Sequence, residues 1–362
     1  MKVLIVGFFT RTYMPYIERY ERILKEFNIE YDIIYFDRDS SGESVKDGNS
    51  FIFKSITTAS KIKKILPVFK YRNYIRSIVK ENKYDKLIFL TTMPALLIGK
   101  DVLKKYKENY IFDYRDYTYE KFNFYRKKVD EIIKNSFITL MSSKGYLDFF
   151  KNKEKVLQTH NISNIEGKIE SAIDLKNKEK IRIGFLGYVR YFDVNSKLIN
   201  SFKNDPKYIL DYYGTVFSDC NLKEFCLKNN INNVYLKGKF NNQDKALIYK
   251  EIDIINSIYS LDSPEVKPAI PNRLYDCILF KKPILVSKGT FLSEIVEKYQ
   301  LGLSLDLNSN NWKEELENYI SIFDKEKFEK NCNTFLEKVM EDEKKCDEIV
   351  KKFLNKFLGD LL

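Results

Sequence analysis

The chain has 362 residues, 44% hydrophobic and 31% charged, so it has the length for two domains with apolar cores and too much apolar content for disorder. Its net charge of +11 favours anionic partners without choosing among them. One histidine (His160) and five scattered cysteines (Cys220, Cys226, Cys277, Cys332 and Cys346) argue against a histidine-built metal or Ser-His-Asp centre and against zinc or redox pairs, and they read as reduced thiols of a cytosolic protein.

The chain opens on Lys2-Val3-Leu4-Ile5-Val6-Gly7, an apolar run ending in glycine that reads as a buried parallel strand. The run is too short for a signal peptide, and Arg11 follows closely. A helical pattern over residues 13–27 and a strand at 31–36 come next. Then follow helix 62–79, strand 86–90, helix 95–107, strand 110–113, helix 119–134 and strand 136–140. Short apolar runs alternating with helical periodicity define a doubly wound parallel sheet. The longest uncharged run, residues 87–99, is far below the roughly 20 apolar residues that span a bilayer.

Residues 161–180 are polar and lack apolar periodicity, which reads as a linker. The pattern restarts at Ile181-Arg182-Ile183-Gly184-Phe185-Leu186-Gly187, again a strand ending in glycine. Strands at 209–213, 234–236, 253–258 and 283–286 follow, with helical stretches between them. At the tail, Cys346, Ile349, Val350, Phe353, Leu354, Phe357, Leu358 and Leu361 recur at helical spacing. The expected organisation is a first domain over 1–165, a linker over 166–180, a second domain over 181–342, and an amphipathic helix over 343–362 packing back on the first domain.

Several motifs are excluded or weak. Gly7 is followed by Phe8-Phe9-Thr10-Arg11-Thr12, so the dinucleotide-binding glycine fingerprint is absent, as is a Walker A loop. Asp37-Arg38-Asp39 has the form of a metal-holding pair, but a charged chain yields such triplets by chance, and no metal ligand is assigned. Residues 61–80 are basic and amphipathic, which suits either an ordinary surface helix or contact with anionic lipid. No nucleic-acid motif is present.

Residues 263–286 are the most informative stretch, reading as loop, helix, strand. Pro271 suits a first helical turn, whose backbone N–H groups can meet a diphosphate. Asp276 falls one turn past Asn272, where a carboxylate can accept ribose hydroxyls, and Arg273 is close enough to offset phosphate charge. Asn272-Arg273-Leu274-Tyr275-Asp276, with Pro283 opening the next strand, resembles the nucleotide-sugar site of the retaining GT-B glycosyltransferases of the large bacterial polysaccharide-synthesis family. Their pattern there is Asn-Lys-Leu-Tyr-Glu, and Asp276 falls on its glutamate. An earlier glutamate of the family falls on Pro268, a departure: either Glu265 substitutes or the contact is absent.

The resemblance extends along the chain. Ile183-Gly184-Phe185-Leu186-Gly187-Tyr188-Val189-Arg190 resembles the opening of the family's second domain, where a glycine turn approaches the donor phosphates and a basic residue neutralises them. It implies Gly187, Tyr188, Arg190, Lys197 and Gly214 as donor-site residues beside Glu265, Asn272, Arg273 and Asp276. Phe112-Asp113-Tyr114-Arg115-Asp116 resembles an Asp-x-Arg-Asp signature of the first domain, where many relatives carry a histidine at the sugar. Asp113 and Asp116, with Arg190, are the implied catalytic residues; Gly7, Arg11, Tyr13 and Arg115 are the implied acceptor-binding residues. Met141-Ser142-Ser143 and His160-Asn161 resemble later landmarks near the cleft.

The resemblance implies an α/β GT-B fold with two Rossmann-like domains facing a cleft. It implies a metal-independent retaining transferase, without a cofactor, that moves a sugar from a nucleotide-sugar, with UDP as the default, to a saccharide or lipid-linked acceptor. The expected setting is the cytoplasm, at the inner face of the cell membrane, with peripheral contact to anionic lipid and none to nucleic acid. Two other readings stay open: a non-catalytic GT-B accessory subunit, and a nucleotide-sugar epimerase of similar fold.

Overall fold

Two all-parallel sheets organise the chain in a computed structural model that describes residues 1–37, 49–55, 65–162 and 171–355. They lie in two compact units, Met1–His160 with Glu341–Leu362, and Asn161–Met340.

The first unit runs β1 (Lys2–Val6), α1 (Ile17–Glu26), β2 (Glu30–Asp37), β3 (Asn49–Lys54), α2 (Ile65–Glu81), β4 (Lys86–Leu90), α3 (Thr92–Ile98), α4 (Lys100–Lys105), β5 (Tyr110–Tyr114), α5 (Asn123–Asn135), β6 (Ile138–Met141) and β7 (Val156–Gln158). The strand order is β3-β2-β1-β4-β5-β6-β7. Ile5 on β1 pairs with Ile33 on β2 and Ile88 on β4, and β1 and β4 are apolar on both faces because helices cover both. The winding reverses between β1 and β4. In such sheets ligands bind beyond the carboxyl ends of the strands at this switch point.

The second unit runs β8 (Ile181–Leu186), α6 (Phe192–Ser201), β9 (Tyr208–Tyr213), α7 (Leu222–Lys228), β10 (Val234–Gly238), α8 (Lys245–Glu251), β11 (Ile254–Ser257), α9 (Arg273–Phe280), β12 (Ile284–Ser287), α10 (Phe291–Tyr299), β13 (Gly302–Leu305), α11 (Trp312–Ile322) and α12 (Lys325–Leu354). Its order is β10-β9-β8-β11-β12-β13, with the switch point between β8 and β11.

The structure adds three strands to those expected: β3, β7 and β13, all at sheet edges. The single helix expected over 95–107 is two, α3 and α4, because Gly99 at φ 95° breaks it. The helix expected from 119 begins at Asn123. From Glu341 onward α12 belongs to the first unit, where Cys346, Val350, Phe353 and Leu354 join α1, β1 and β4 in one core. Arg19 on α1 binds this helix by ion pairs to Glu343 and, at 3.0 Å, to Asp347, and it donates to Thr159 Oγ1 at 2.6 Å. Phe357, Leu358 and Leu361 lie outside the described residues, as do Arg38 and Asp39 and the start of the basic stretch at 61–64.

Candidate functional site

In the second unit, the ends of three adjacent strands carry glycines with backbone that side-chain-bearing residues avoid: Gly187 (φ 134°) after β8, Gly214 (φ 134°) after β9, and Gly238 (φ 75°) closing β10. Gly187 N–H donates to Tyr213 O at 2.9 Å, and Gly214 N–H donates to Gly238 O at 2.6 Å. Beyond Gly187 the chain bridges Val189 to Val216, which brings Tyr188 and Phe217 edge to face at 5.6 Å. The Arg190 guanidinium stands 4.5 Å from the Phe217 ring centroid and makes no ion pair among the described residues. The Asn195 side-chain amide donates to the carbonyls of Arg190 and Tyr191, at 2.6 and 2.9 Å, and so holds this turn to α6.

The loop after β11 is tied across the switch point to the first turn of α6, and on its other side to the end of β12. Ser260 Oγ donates to Asp193 Oδ2 at 2.8 Å, and Tyr259 N–H donates to Ser287 Oγ at 2.8 Å. Arg273, the first residue of α9, spans the gap. Its guanidinium donates to Leu186 O at 3.1 Å and to the Tyr259 hydroxyl, and it lies 4.0 Å from the Phe185 ring centroid. Arg273 is 6% exposed, and among the described residues it forms no ion pair and its Nε has no hydrogen-bond partner. Burial pulls this guanidinium down to about 10, far below its ordinary value. A buried cation without a direct ion pair, favoured only at a distance by Asp276, is beside a glycine turn an attractor for an anion.

Asp276, one turn further along α9, is buried. Its two oxygens accept from Lys245 Nζ at 2.7 Å and from the Tyr249 hydroxyl at 2.8 Å, both on α8. Burial and the Asp276 charge push the Tyr249 hydroxyl well above its ordinary value, so it stays a donor. Asn272 caps α9, and its carbonyl accepts from Tyr275 and Asp276 N–H. Glu265 is half-buried in the preceding loop and Pro268 is buried, with the Lys267 carbonyl bound to Phe291 N–H at 2.8 Å. Lys197 is committed elsewhere: its ammonium donates to Leu307 O at 2.6 Å and lies 5.1 Å from the Trp312 ring centroid.

In the first unit, Asp113, next to last in β5, is fully buried. Arg115 folds back on it in a two-pronged ion pair, while Tyr20 donates to Asp113 Oδ2 at 2.7 Å and the Tyr16 ring lies 4.2 Å from the guanidinium. Desolvation opposes the charge on Arg115, but the Asp113 carboxylate outweighs it and holds the guanidinium above its ordinary value. Ser142 Oγ donates to the Arg115 carbonyl at 2.6 Å, and the buried Glu120 accepts from Tyr114 and Thr118. The loop between is therefore pinned at both ends, and it presents Asp116 outward.

Gly7 follows β1 with its carbonyl bound by the Tyr71 hydroxyl, and a Cβ there would press on Met14 Cε at 2.4 Å. Arg11 forms a two-pronged pair with Glu21, at 2.9 and 2.6 Å. Tyr13 is 62% exposed. His160 is buried with Nε2 3.4 Å from Asp342, and its backbone N–H donates to Glu343 at 2.7 Å. Sequence reasoning passed over Tyr16, Tyr20, Lys245, Tyr249 and Tyr259. Each earns its place only through a partner distant in the chain, and none stands in a recognisable motif.

This architecture is shared with solved structures. HepE from Anabaena, in complex with UDP and glucose, matches with a TM-score of 0.64 over 96% of this chain and 98% of its own, at 14% identity. The lipopolysaccharide outer core galactosyltransferase WaaB matches at 0.66 over 100% of both chains, at 13% identity. A putative UDP-N-acetylglucosamine 2-epimerase from Listeria monocytogenes matches at 0.56 over 92% of this chain and 90% of its own, at 12% identity. No protein-family model and no curated protein sequence matches the chain. The two parallel-sheet α/β units, of seven and six strands, are those of the GT-B fold.

Proposed function

We propose that the chain is a GT-B glycosyltransferase that moves a sugar from a nucleotide-sugar, a UDP-sugar, to a saccharide or lipid-linked acceptor in surface glycan synthesis, with retention of configuration. The carrying observation is Arg273: a buried guanidinium that forms no ion pair among the described residues, held at the switch point beside Gly187. HepE, solved with UDP and glucose, and WaaB, a galactosyltransferase, support the substrate class.

In this reading the donor diphosphate meets Gly187, Gly214 and Asn272 backbone, and Arg190 and Arg273 oppose the charge that develops as the diphosphate departs. That assigns the phosphate charge to arginines rather than to a metal ion. Asp276, oriented by Lys245 and Tyr249, accepts the ribose hydroxyls, with Glu265 near the sugar. Asp113, Asp116 and Arg115, with Gly7, Arg11 and Tyr13, serve the acceptor side. The Arg11–Glu21 pair and the Lys197–Leu307 contact must open if those two cations are to reach a ligand. The protein would work at the cytoplasmic face of the membrane.

A thermal-shift panel of UDP, GDP, ADP, CMP and their sugars tests this, because a ligand that binds only the folded state raises the midpoint. Stabilisation by UDP and UDP-sugars is expected, and Arg190→Ala should abolish turnover without unfolding the chain. An unchanged rate in that variant removes Arg190 from the mechanism.

One observation favours the accessory-subunit reading: Pro268 stands where the family pattern has glutamate, and it cannot replace a carboxylate contact. Nucleotide binding with no sugar transfer would select that reading. An altered nucleotide-sugar formed without acceptor would select the epimerase.

A further inference from the structure

The first unit exposes large apolar side chains where its fold does not need them. Leu66 and Phe69, 59% and 57% exposed, stand in the first turns of α2; Tyr119 and Phe122, 51% and 44% exposed, stand in the loop leading into α5, and Phe124, 63% exposed, in its first turn. Both helices follow strands of a parallel sheet, so both N-terminal ends lie at the strands' carboxyl edge. α3 packs against both, which places the three helices in one layer. The exposed residues therefore share one edge of one layer.

The charge around them is mainly positive, with Asp116 the exposed carboxylate of the loop before α5. Lys70, Lys121, Lys127 and Lys128 are exposed, and none forms an ion pair among the described residues. Lys121 Nζ lies 5.1 Å from the Phe122 ring centroid and Lys128 Nζ 5.9 Å from that of Phe124, so cations and rings form one mixed surface. Of the two carboxylates in the loop before α5, Asp116 is exposed, while Glu120 is buried and already accepts from Tyr114 and Thr118. A solvated surface gains nothing from such a pattern. Phenylalanines that can enter the acyl boundary, ringed by lysines that meet headgroup phosphates, match an anionic bilayer surface.

We propose that the starts of α2 and α5 form a docking surface for anionic lipid, with Phe122 and Phe124 as its inserting pair. This goes beyond the basic amphipathic character of the α2 stretch by placing the inserting residues on α5. It rests on surface chemistry alone and presupposes no sugar transfer. The loop from Tyr114 to Phe122 also carries Asp116, so docking brings that carboxylate to headgroup level, where a lipid-linked acceptor presents its polar end.

The test is flotation of the full chain with phosphatidylcholine vesicles, and with vesicles that also contain phosphatidylglycerol. The wild type should float with the anionic vesicles only, and high salt should weaken it. Phe122→Ser/Phe124→Ser and, separately, Lys127→Glu/Lys128→Glu should each bind roughly tenfold more weakly or less. These positions are exposed, so the melting temperature should hold; if the serine variant misfolds, the charge variant carries the test alone. Unchanged flotation of a folded variant would overturn the proposal, as would a wild type that binds neither vesicle. A wild-type dimer in sedimentation velocity that the serine variant dissociates, with flotation unaltered, would assign the face to a second copy of the chain and overturn it as well.

Discussion

Gly214 faces the carbonyl of Gly187 so closely that a Cβ on Gly214 would lie 1.8 Å from that oxygen. The relationship joins the ends of β9 and β8 where the donor is proposed to sit, and it leaves no room for any other residue. Backbone crowding is compounded by φ of 134° at Gly214. Gly214→Ala should therefore cost about 2–4 kcal/mol of stability, at the upper end of single substitutions. Gly238→Ala is the control. Its Cβ would meet open space, and only its φ of 75° is unfavourable, so the cost should be about 1 kcal/mol. Denaturant unfolding of the two variants checks the order. Equal costs would show that the Gly187 carbonyl yields.

Arg273 makes the opposite prediction. Its guanidinium is buried and forms no ion pair among the described residues, so the free protein bears a desolvation cost that a bound diphosphate would relieve. Arg273→Met should leave the ligand-free melting temperature unchanged or raise it, and should eliminate the shift produced by UDP. A large loss of ligand-free stability would instead make Arg273 a structural brace between Leu186 and Tyr259.

How far these features were legible depends on where each one lies. Central strands such as Lys2–Val6 and Ile284–Ser287 are covered on both faces, so their residues form continuous apolar runs that stand out in the sequence, and the doubly wound class follows. The edge strands Val156–Gln158 and Gly302–Leu305 are short and only half-buried, so their pattern merges with loop. The site divides in the same way. Glycines at strand ends and the charged residues beside them are visible because a strand-ending glycine is a local signal. Tyr20 against Asp113 and Lys245 against Asp276 are not, because those pairings are made by packing between elements far apart in the chain.

The Asp113–Arg115 pair lends itself to a double-mutant cycle. Both partners are buried, so removing one leaves the other charged and unpaired. Arg115→Ala alone should cost about 3–5 kcal/mol, because among the described residues the Asp113 carboxylate then retains the Tyr20 hydroxyl alone. Adding Asp113→Ala should recover a large part of that loss, giving a favourable coupling energy of about 1–3 kcal/mol. Thermal or urea unfolding of the four proteins checks this. Additive losses would mean that the loop is held mainly by Ser142 and Glu120.

Lys282, between α9 and β12, gives a pH test. It is 2% exposed, and burial pulls its ammonium down to about 8, with Asp253 opposing the fall and Lys178 adding to it. An unfolded chain keeps that proton until its ordinary value of 10.5, so between these two values the unfolded state binds more protons than the folded one. Stability contributed by this residue therefore rises with pH across that window, by at most ~1.4 kcal/mol per unit, and is lowest below it, where the folded chain must hold a buried charge. Lys282→Met removes the charge. It should raise stability near neutral pH by about 1–3 kcal/mol and flatten the rise seen in the wild type between about pH 8 and 9.5. Buried tyrosines act in the opposite sense above about pH 10, because their hydroxyls are pushed up and the unfolded chain loses those protons first, so the comparison belongs below that point. Chemical unfolding of both proteins at three pH values decides it. Parallel stability curves would mean that Lys282 stays protonated in the folded chain throughout, its charge held by Asp253.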